Sequence, residues 1–234
     1  MLVDGGEALT QPAREKWQSN LPSEVDFWRQ MIDGTFPNPE WVAGLRIRIA
    51  GEHEFPWHLR QYVTGGAARI VDVGAGPATT LGPNGAPCPV EIIPIDPLAD
   101  TYGELLRQAG MKCWNPTRLG EGERLSELGL GIFDLVYSRN ALDHAYDPLL
   151  VIREMVAACK PGGTAYFEGS VNESVKQHAD GLHQWNFMPL DTGDLVIWQP
   201  DNKAMSLRAA LGNGVAVKAR GFAWYQVEVK RHRP

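Results

Sequence analysis

Two glycines and two aspartates have the spacing of a site that binds a nucleotide-type cofactor. In RIVDVGAGPATTLG, residues 69–82, an apolar run ends near Asp72 and leads directly into Gly74 and Gly76. Glycines at such a turn let the backbone bend sharply and approach a ligand closely, because no Cβ is in the way. Asp96 follows Gly76 by 20 residues, at the end of the next apolar run. An acidic side chain at that place can accept hydrogen bonds from ribose hydroxyls, so the sequence predicts a ribose-containing cofactor.

The same loop departs from two common phosphate-binding patterns. The dinucleotide fingerprint G-x-G-x-x-G needs glycine at position 79, where the chain has Thr79, and the G-K-[ST] of a phosphate loop is absent. NAD and ATP are therefore disfavoured as cofactors. A nicotinamide-dependent oxidoreductase or epimerase stays an alternative, because Asp96 would serve it equally well.

Two histidines are candidates for contacting the substrate or accepting its proton. His144 follows the fourth expected strand, at the sheet edge where α/β proteins bind ligands, and a neutral imidazole there can accept the proton of a hydroxyl. His183 lies in HADGLHQWNF, a polar and aromatic segment that we expect to contact the substrate. Either histidine could instead only pack against or cap its own loop.

No metal site is expected from the sequence. Asp143, His144, Glu168 and His178 carry suitable ligand atoms, but their spacing matches no metal-binding motif. The three cysteines are widely spaced and lack a C-x-x-C pair, so they predict neither a zinc ribbon nor a disulfide framework.

Apolar runs that alternate with helical stretches must position these residues. Five runs are typical of strands, namely residues 69–73, 90–96, 112–116, 133–138 and 164–170. Helical stretches at LADTYGELLRQAG and DPLLVIREMVAACK lie between them, which predicts a parallel sheet with helices on both faces. Asp147 and Pro148 have the residue types of a helix N-cap and first position. Later runs at 194–200 and 215–230 predict further strands, the second a closing hairpin or long edge strand.

The first 64 residues have a different pattern, aromatic and helical. We expect three short helices up to about Val63, one of them capped by Ser23, whose spacing to Asp26 is that of a capping box. These helices would cover one face of the main domain or form a lid over a substrate pocket. The predicted division is an N-terminal helical cover or lid, residues 1–64, and a cofactor-binding domain, residues 65–234.

Composition and charge limit the partners. The chain has 234 residues and a net charge of −6, which disfavours a nucleic-acid-binding surface because phosphates attract basic patches. No apolar stretch is long enough for a membrane span or has the form of a signal peptide. We expect a cytoplasmic protein in a reducing compartment.

Three segments together resemble a known enzyme family. DVGAG (72–76) resembles the first motif of class I S-adenosylmethionine-dependent methyltransferases. FDLVYSRNALDHAYDP (133–148) and KPGGTAYFEGS (160–170) resemble the fourth-strand and fifth-strand segments of the methyltransferases often called type 11. The resemblance implies an α/β, Rossmann-like class I methyltransferase fold: a seven-stranded, mostly parallel sheet with helices on both faces and an N-terminal helical cover. The implied cofactor is S-adenosyl-L-methionine.

The resemblance also implies roles for individual residues. Asp72, Gly74 and Gly76 would line the methionine side of the cofactor, and Asp96 would hold its ribose. Glu121 and Gly122 would lie near the adenine, and Ser138 with Asn140 would close the pocket from the end of the fourth strand.

The implied reaction is methyl transfer to a small molecule or glycan, at a hydroxyl. GLHQWNF weakly resembles bacterial methyltransferases of polysaccharide or natural-product pathways. A second alternative is a non-catalytic partner subunit that keeps this fold, since the family's third glycine is Ala78 in this chain.

Overall fold

The computed structural model describes residues 6–200 and 204–231, with side chains from residue 13 onward. Ten strands lie in the described chain: β1 (Ala68–Val73), β2 (Val90–Asp96), β3 (Arg118–Leu119), β4 (Phe133–Arg139), β5 (Cys159–Ser170), β6 (Asn186–Pro189), β7 (Leu195–Trp198), β8 (Met205–Ser206), β9 (Val215–Gly221) and β10 (Trp224–Arg231). Seven of them form one sheet in the order β3-β2-β1-β4-β5-β10-β9.

The large sheet is mostly parallel. The first five strands, β1 to β5, run parallel to one another. β10 pairs antiparallel with both β5 and β9. The order reverses direction between β1 and β4, where the chain crosses from one half of the sheet to the other. Ligands bind α/β sheets at this kind of switch point, outside the carboxyl ends of the strands. The predicted sheet and its closing hairpin are confirmed.

Helices cover both faces of the sheet. They are α1 (Gly6–Asp33), α2 (Pro39–Ala50), α3 (Ala99–Gln108), α4 (Pro148–Ala158), α5 (Glu173–Lys176) and α6 (Leu207–Leu211), with a 3-10 helix at Trp57–Tyr62. Val71 packs into the same cluster as Ile152 of α4, while its neighbour Ile70 packs on the opposite face with Leu59 of the 3-10 helix. Successive strand residues point to opposite faces, so both sides of β1 are buried, as its apolar sequence predicts.

Three helices precede Val63, as expected, namely α1, α2 and the 3-10 helix, but the first differs from the expectation. Residues 6–33 form one helix of 28 residues, and Ser23 lies inside it, where its hydroxyl donates to the Asn20 carbonyl instead of capping an end. Pro22 normally breaks a helix because it lacks an N–H. Packing on both sides overrides this preference: Trp17 is buried before it and Ile32 after it. The boundary between residues 64 and 65 stays a prediction.

One expected strand is absent, and another is present but lies in a second sheet. Residues 112–116 do not form a strand, because the Trp114 N–H donates to the Ile49 carbonyl at the end of α2, and the sheet pairs with Arg118 and Leu119 instead. The run 194–200 contains β7, but it pairs with β6 and β8 in a separate three-stranded sheet.

Asp147 accepts from the Leu150 N–H and Pro148 begins α4, so the predicted N-cap is confirmed. The three cysteines are free thiols. Among the helices described, none is long and apolar enough to cross a membrane.

Candidate active site

A cavity of about 700 Å³ lies at the carboxyl ends of β1, β2 and β4. Side chains of α1 line it from the opposite side, together with the segment from 173 to 183. The cavity therefore lies where the strand order reverses, between the sheet edge and the N-terminal helix.

The glycine loop has backbone geometry that other residues adopt only with strain. Gly74 and Gly76 have φ of +72° and +65°. A Cβ on Gly74 would lie 2.5 Å from the Ala141 Cβ, and one on Gly76 would lie 3.0 Å from the Trp28 ring. The N–H groups of Gly74 and Ala75 both donate to the Ile95 carbonyl, which ties the loop to the end of β2. Glycine is therefore needed at both positions for conformation and for space.

Asp72 is buried beneath this loop. Thr79 Oγ1 donates to Asp72 Oδ2 at 2.6 Å, so the residue that departs from the dinucleotide fingerprint serves here as a hydrogen-bond donor. Burial raises the pKa of Asp72 to about 6, although the Thr79 hydrogen bond and the nearby Arg48 guanidinium oppose the shift.

Arg48 of α2 is a site residue that the sequence did not reveal. Its guanidinium donates to the backbone carbonyls of Ala75, Ala78 and Thr79, and burial lowers its pKa to about 10. Arg48 therefore links α2 to the glycine loop, and it also lines the cavity. No motif marks Arg48, because its partners lie some thirty residues further along the chain.

Asp96 ends β2 and lines the cavity. Its Oδ2 accepts from the Gly76 N–H at 3.0 Å and its Oδ1 from the Leu98 N–H at 2.9 Å. Burial raises its pKa to about 7, with a further contribution from the Glu24 carboxylate of α1. Each carboxylate oxygen can accept a second hydrogen bond, so Asp96 keeps acceptor capacity toward the cavity.

Ser138 lies near the end of β4, and Asn140 is the first residue after the strand. Ser138 is 1 % exposed, and its hydroxyl lines the cavity without a hydrogen-bond partner among the described residues. Asn140 has φ of +48°, and its side-chain oxygen accepts from the Ser170 N–H. A buried hydroxyl without a partner costs free energy unless a ligand bonds it, so Ser138 points to an occupant of the cavity.

Of the two residues predicted to lie near the adenine, only one lines the cavity. Gly122 lines the cavity, and a Cβ there would lie 2.9 Å from Val73 Cγ1. Glu121 is not among the residues that line it; its carboxylate pairs with Arg14 at 2.8 Å and accepts from the Tyr146 hydroxyl. Glu121 therefore forms an ion pair that links its loop to Arg14 of α1.

Two histidines that line the cavity meet a buried aspartate. His183 Nδ1 lies 2.7 Å from Asp143 Oδ2 and 3.0 Å from His144 Nε2. Burial disfavours the charged forms, but the mutual attraction prevails: the pKa of Asp143 is lowered by the two imidazoles, and that of His183 is raised by its bond to Asp143. His144 and His183 were predicted separately, and the structure brings them into contact.

The other candidate metal ligands lie elsewhere. Glu168 is buried in a network of its own, in which Tyr137 and Arg139 donate to its carboxylate and its pKa is lowered to about 2 despite burial. His178 is exposed. Only Asp143 and His144 of the four side chains considered from the sequence therefore lie together.

Comparison with known proteins identifies the family. The model of a family described as "Methyltransferase domain" matches residues 49–226, about three quarters of the chain. The chain belongs to this methyltransferase family. The match confirms the enzyme class and the cofactor that the first motif implied, S-adenosylmethionine.

Solved structures with a similar fold include other methyltransferases. One from Clostridium acetobutylicum ATCC 824, titled as S-adenosylmethionine-dependent, has 12% identity, a TM-score of 0.45 and coverage of 74% of this chain and 87% of that chain. One from Mesorhizobium loti, with the same description, has 16% identity, a TM-score of 0.42 and coverage of 74% and 96%. The PH0226 protein of Pyrococcus horikoshii OT3 has 14% identity, a TM-score of 0.48 and coverage of 82% and 92%. No curated protein matches the chain at a significant level.

The residues of this methyltransferase fit its cofactor on structural grounds. The glycine loop lines the cavity without a Cβ at Gly74 or Gly76, Ser138 offers an unpartnered hydroxyl, and Asp96 offers acceptor capacity at the end of β2. All three features face the same cavity.

Proposed function

We propose that this methyltransferase transfers the methyl group of S-adenosylmethionine to a hydroxyl of a small molecule or glycan. The observation that carries the proposal is that one cavity of about 700 Å³ is lined both by the cofactor loop and by His144 and His183. A cavity of this volume is in the range that holds small-molecule ligands.

The cofactor end is assigned as follows. When bound, S-adenosylmethionine supplies a methyl group on a positively charged sulfonium. We propose that Asp96 accepts hydrogen bonds from the ribose, that Asp72, Gly74 and Gly76 surround the methionine part, and that Ser138 and Asn140 close the pocket beside it. Gly122 would leave room for the adenine. The adenine role predicted for Glu121 is not supported by its position, because its carboxylate is engaged by Arg14.

The acceptor end is assigned to α1 and to the cluster of Asp143, His144 and His183. Aromatic side chains of α1 and α2 also line the cavity, namely Trp17, Phe27, Trp28 and Trp41. They would exclude water from the reacting atoms and offer flat faces to the acceptor. We propose that the two histidines contact an acceptor hydroxyl; that His144 accepts its proton stays a prediction from the sequence.

Charge favours a small acceptor over a nucleic acid. Glu24, Glu173 and Asp180 line the acceptor end, and the whole chain carries a net charge of −6. A phosphate backbone would be repelled by this surface. The same carboxylates favour a second candidate, an acceptor with a protonated amine. A reducing, cytoplasmic location stays a prediction that rests on the three free thiols.

Calorimetry with S-adenosylmethionine tests the proposal. We expect wild-type protein to bind it at micromolar concentrations, and Asp96→Asn to bind it about 10 to 100 times more weakly, the cost of about 1 to 3 kcal/mol for hydrogen bonds to a charged acceptor. NAD serves as the control ligand and should not bind. Tighter binding of NAD would favour the oxidoreductase alternative, and binding of neither ligand would favour the non-catalytic subunit.

A further inference from the structure

Three ligand atoms at the acceptor end form a triangle of the size that a metal ion requires. The atoms are Asp143 Oδ2, His144 Nε2 and His183 Nδ1, and their separations are 2.7, 3.0 and 3.5 Å. The point equidistant from all three lies about 1.8 Å from each, in their plane. Zinc binds imidazole nitrogen and carboxylate oxygen at about 2.0 to 2.2 Å. An ion at that distance would lie about 1 Å above the plane, with three ligands on one side.

We propose that Asp143, His144 and His183 bind a divalent transition-metal cation whose open coordination positions face the cavity.

Hydrogen bonds alone do not explain both short contacts of His183 Nδ1 within the cluster. A ring nitrogen carries either one proton or one lone pair, so His183 Nδ1 makes one strong hydrogen bond. It lies within hydrogen-bond distance of two groups, Asp143 Oδ2 and His144 Nε2. A cation above the triangle satisfies the lone pairs of all three atoms at once.

A second observation concerns the other nitrogen of His144. Its Nδ1 lies 3.7 Å from Glu24 Oε2, and the other oxygen of Glu24 is held by the Trp28 indole N–H at 2.7 Å. Histidines that bind metals commonly direct their second nitrogen at a carboxylate, which orients the ring. Glu24 is the carboxylate on that side of His144, and at 3.7 Å it lies just beyond hydrogen-bond distance.

The backbone holds the cluster together before any ion binds. The N–H groups of Gln184 and Trp185 donate to the Asp143 carbonyl, at 3.0 and 3.3 Å, and the Trp185 indole N–H donates to the Ala145 carbonyl. These bonds fix the segment that carries His183 against the turn that carries Asp143 and His144. The ligands are therefore preorganised, although 39 residues separate the two histidines.

The ligand set selects the type of ion. Two imidazoles and one carboxylate suit zinc, iron, cobalt, nickel or manganese, whereas magnesium and calcium prefer oxygen ligands only. Both imidazoles line the cavity, so the open positions would be available to an oxygen of the acceptor. With the ion bound, His144 Nε2 has no lone pair left for a proton, so this use of the ion replaces the base role predicted for His144. It rests on the proposed function; binding of the ion does not.

Calorimetry with Zn²⁺ alone, on full-length protein treated with a chelator, tests the proposal. We expect one equivalent to bind wild type, and Asp143→Asn and His183→Ala each to bind it on the order of 100-fold more weakly. His178→Asn is the matched control, because His178 is exposed and has positive φ, which asparagine tolerates; it should bind as wild type does. Co²⁺ in place of Zn²⁺ should give visible absorption that disappears in Asp143→Asn.

The outcomes are separable from those of the proposed function. Failure of wild type to bind Zn²⁺, or equal binding by wild type and Asp143→Asn, would overturn the metal site. Asp143→Asn keeps the size of the side chain, and unfolding curves of both variants show whether loss of binding reflects loss of fold. S-adenosylmethionine binding is measured separately and without metal, so either result can fail while the other stands.

Discussion

Asp96 is expected to weaken the fold of the cofactor-free protein at neutral pH, although it is proposed to hold the cofactor. Burial, with Glu24 nearby, raises its pKa from 3.8 to about 7. The folded protein therefore keeps a proton that the unfolded chain has already released, so stability is lost as pH rises from about 4 to about 7. At 1.36 kcal/mol per pH unit, the full cost above pH 7 is about 4 kcal/mol.

The substitution Asp96→Asn removes this cost, because an amide does not ionise. Two N–H groups donate to the Asp96 carboxylate, and asparagine has one oxygen to accept them, so the variant loses about 1 kcal/mol at every pH. The net expectation is a variant that is about 3 kcal/mol more stable than wild type at pH 8 and about 0.5 kcal/mol less stable at pH 4. The two stability curves should cross near pH 4.5.

Urea unfolding of the cofactor-free protein between pH 4 and 8 measures this difference. In thermal unfolding at pH 8, the melting temperature of Asp96→Asn should be roughly 6 to 12 °C above that of wild type for a chain of this size. Asp100→Asn, an exposed carboxylate in the first turn of α3, is the control and should change stability by a few tenths of a kcal/mol. A difference between Asp96→Asn and wild type that does not change with pH would refute the reasoning. A gain in stability together with the expected loss of cofactor affinity would show that the site is built at a cost to the fold.

Three further substitutions test the cofactor end. Ser138→Ala should weaken S-adenosylmethionine binding several-fold in calorimetry while leaving the unfolding free energy of the cofactor-free protein unchanged or slightly higher, because its hydroxyl has no partner among the described residues. Gly74→Ala should destabilise the fold by about 2 to 4 kcal/mol in urea unfolding, since it adds a Cβ at positive φ against Ala141; wild-type stability would contradict the described loop. Arg48→Gln should weaken cofactor binding about tenfold and speed hydrogen exchange of the loop amides, and unchanged exchange would show that Arg48 does not brace the loop.

The parts of the site that the sequence predicted are those set by local pattern. A buried strand followed at once by two glycines gives the loop at Gly74 and Gly76, and the length of the next α/β unit gives Asp96. Each of these features is decided within a few residues, so a single sequence contains the necessary information. The same holds for the N-cap at Asp147.

The parts that the sequence did not predict depend on contacts between distant segments. The spacing of Ser23 and Asp26 predicted a helix start, and only the packing of both halves of α1 shows that the helix continues through this point. Arg48 reaches carbonyls about thirty residues away. Asp143 and His183 meet because backbone bonds join two loops separated by 40 residues. Nothing in the spacing of these residues encodes such contacts.

The division of the cavity explains why the family identifies the cofactor but not the acceptor. The family match begins at residue 49, and it contains the glycine loop, Asp96 and Ser138. Helix α1 ends at residue 33, outside the match, yet it supplies Trp17, Glu24 and Trp28 to the lining of the cavity. The surface that would select an acceptor therefore comes in part from a segment that the family does not define. Acceptor specificity in this protein should accordingly change with substitutions in α1 that leave cofactor affinity in place.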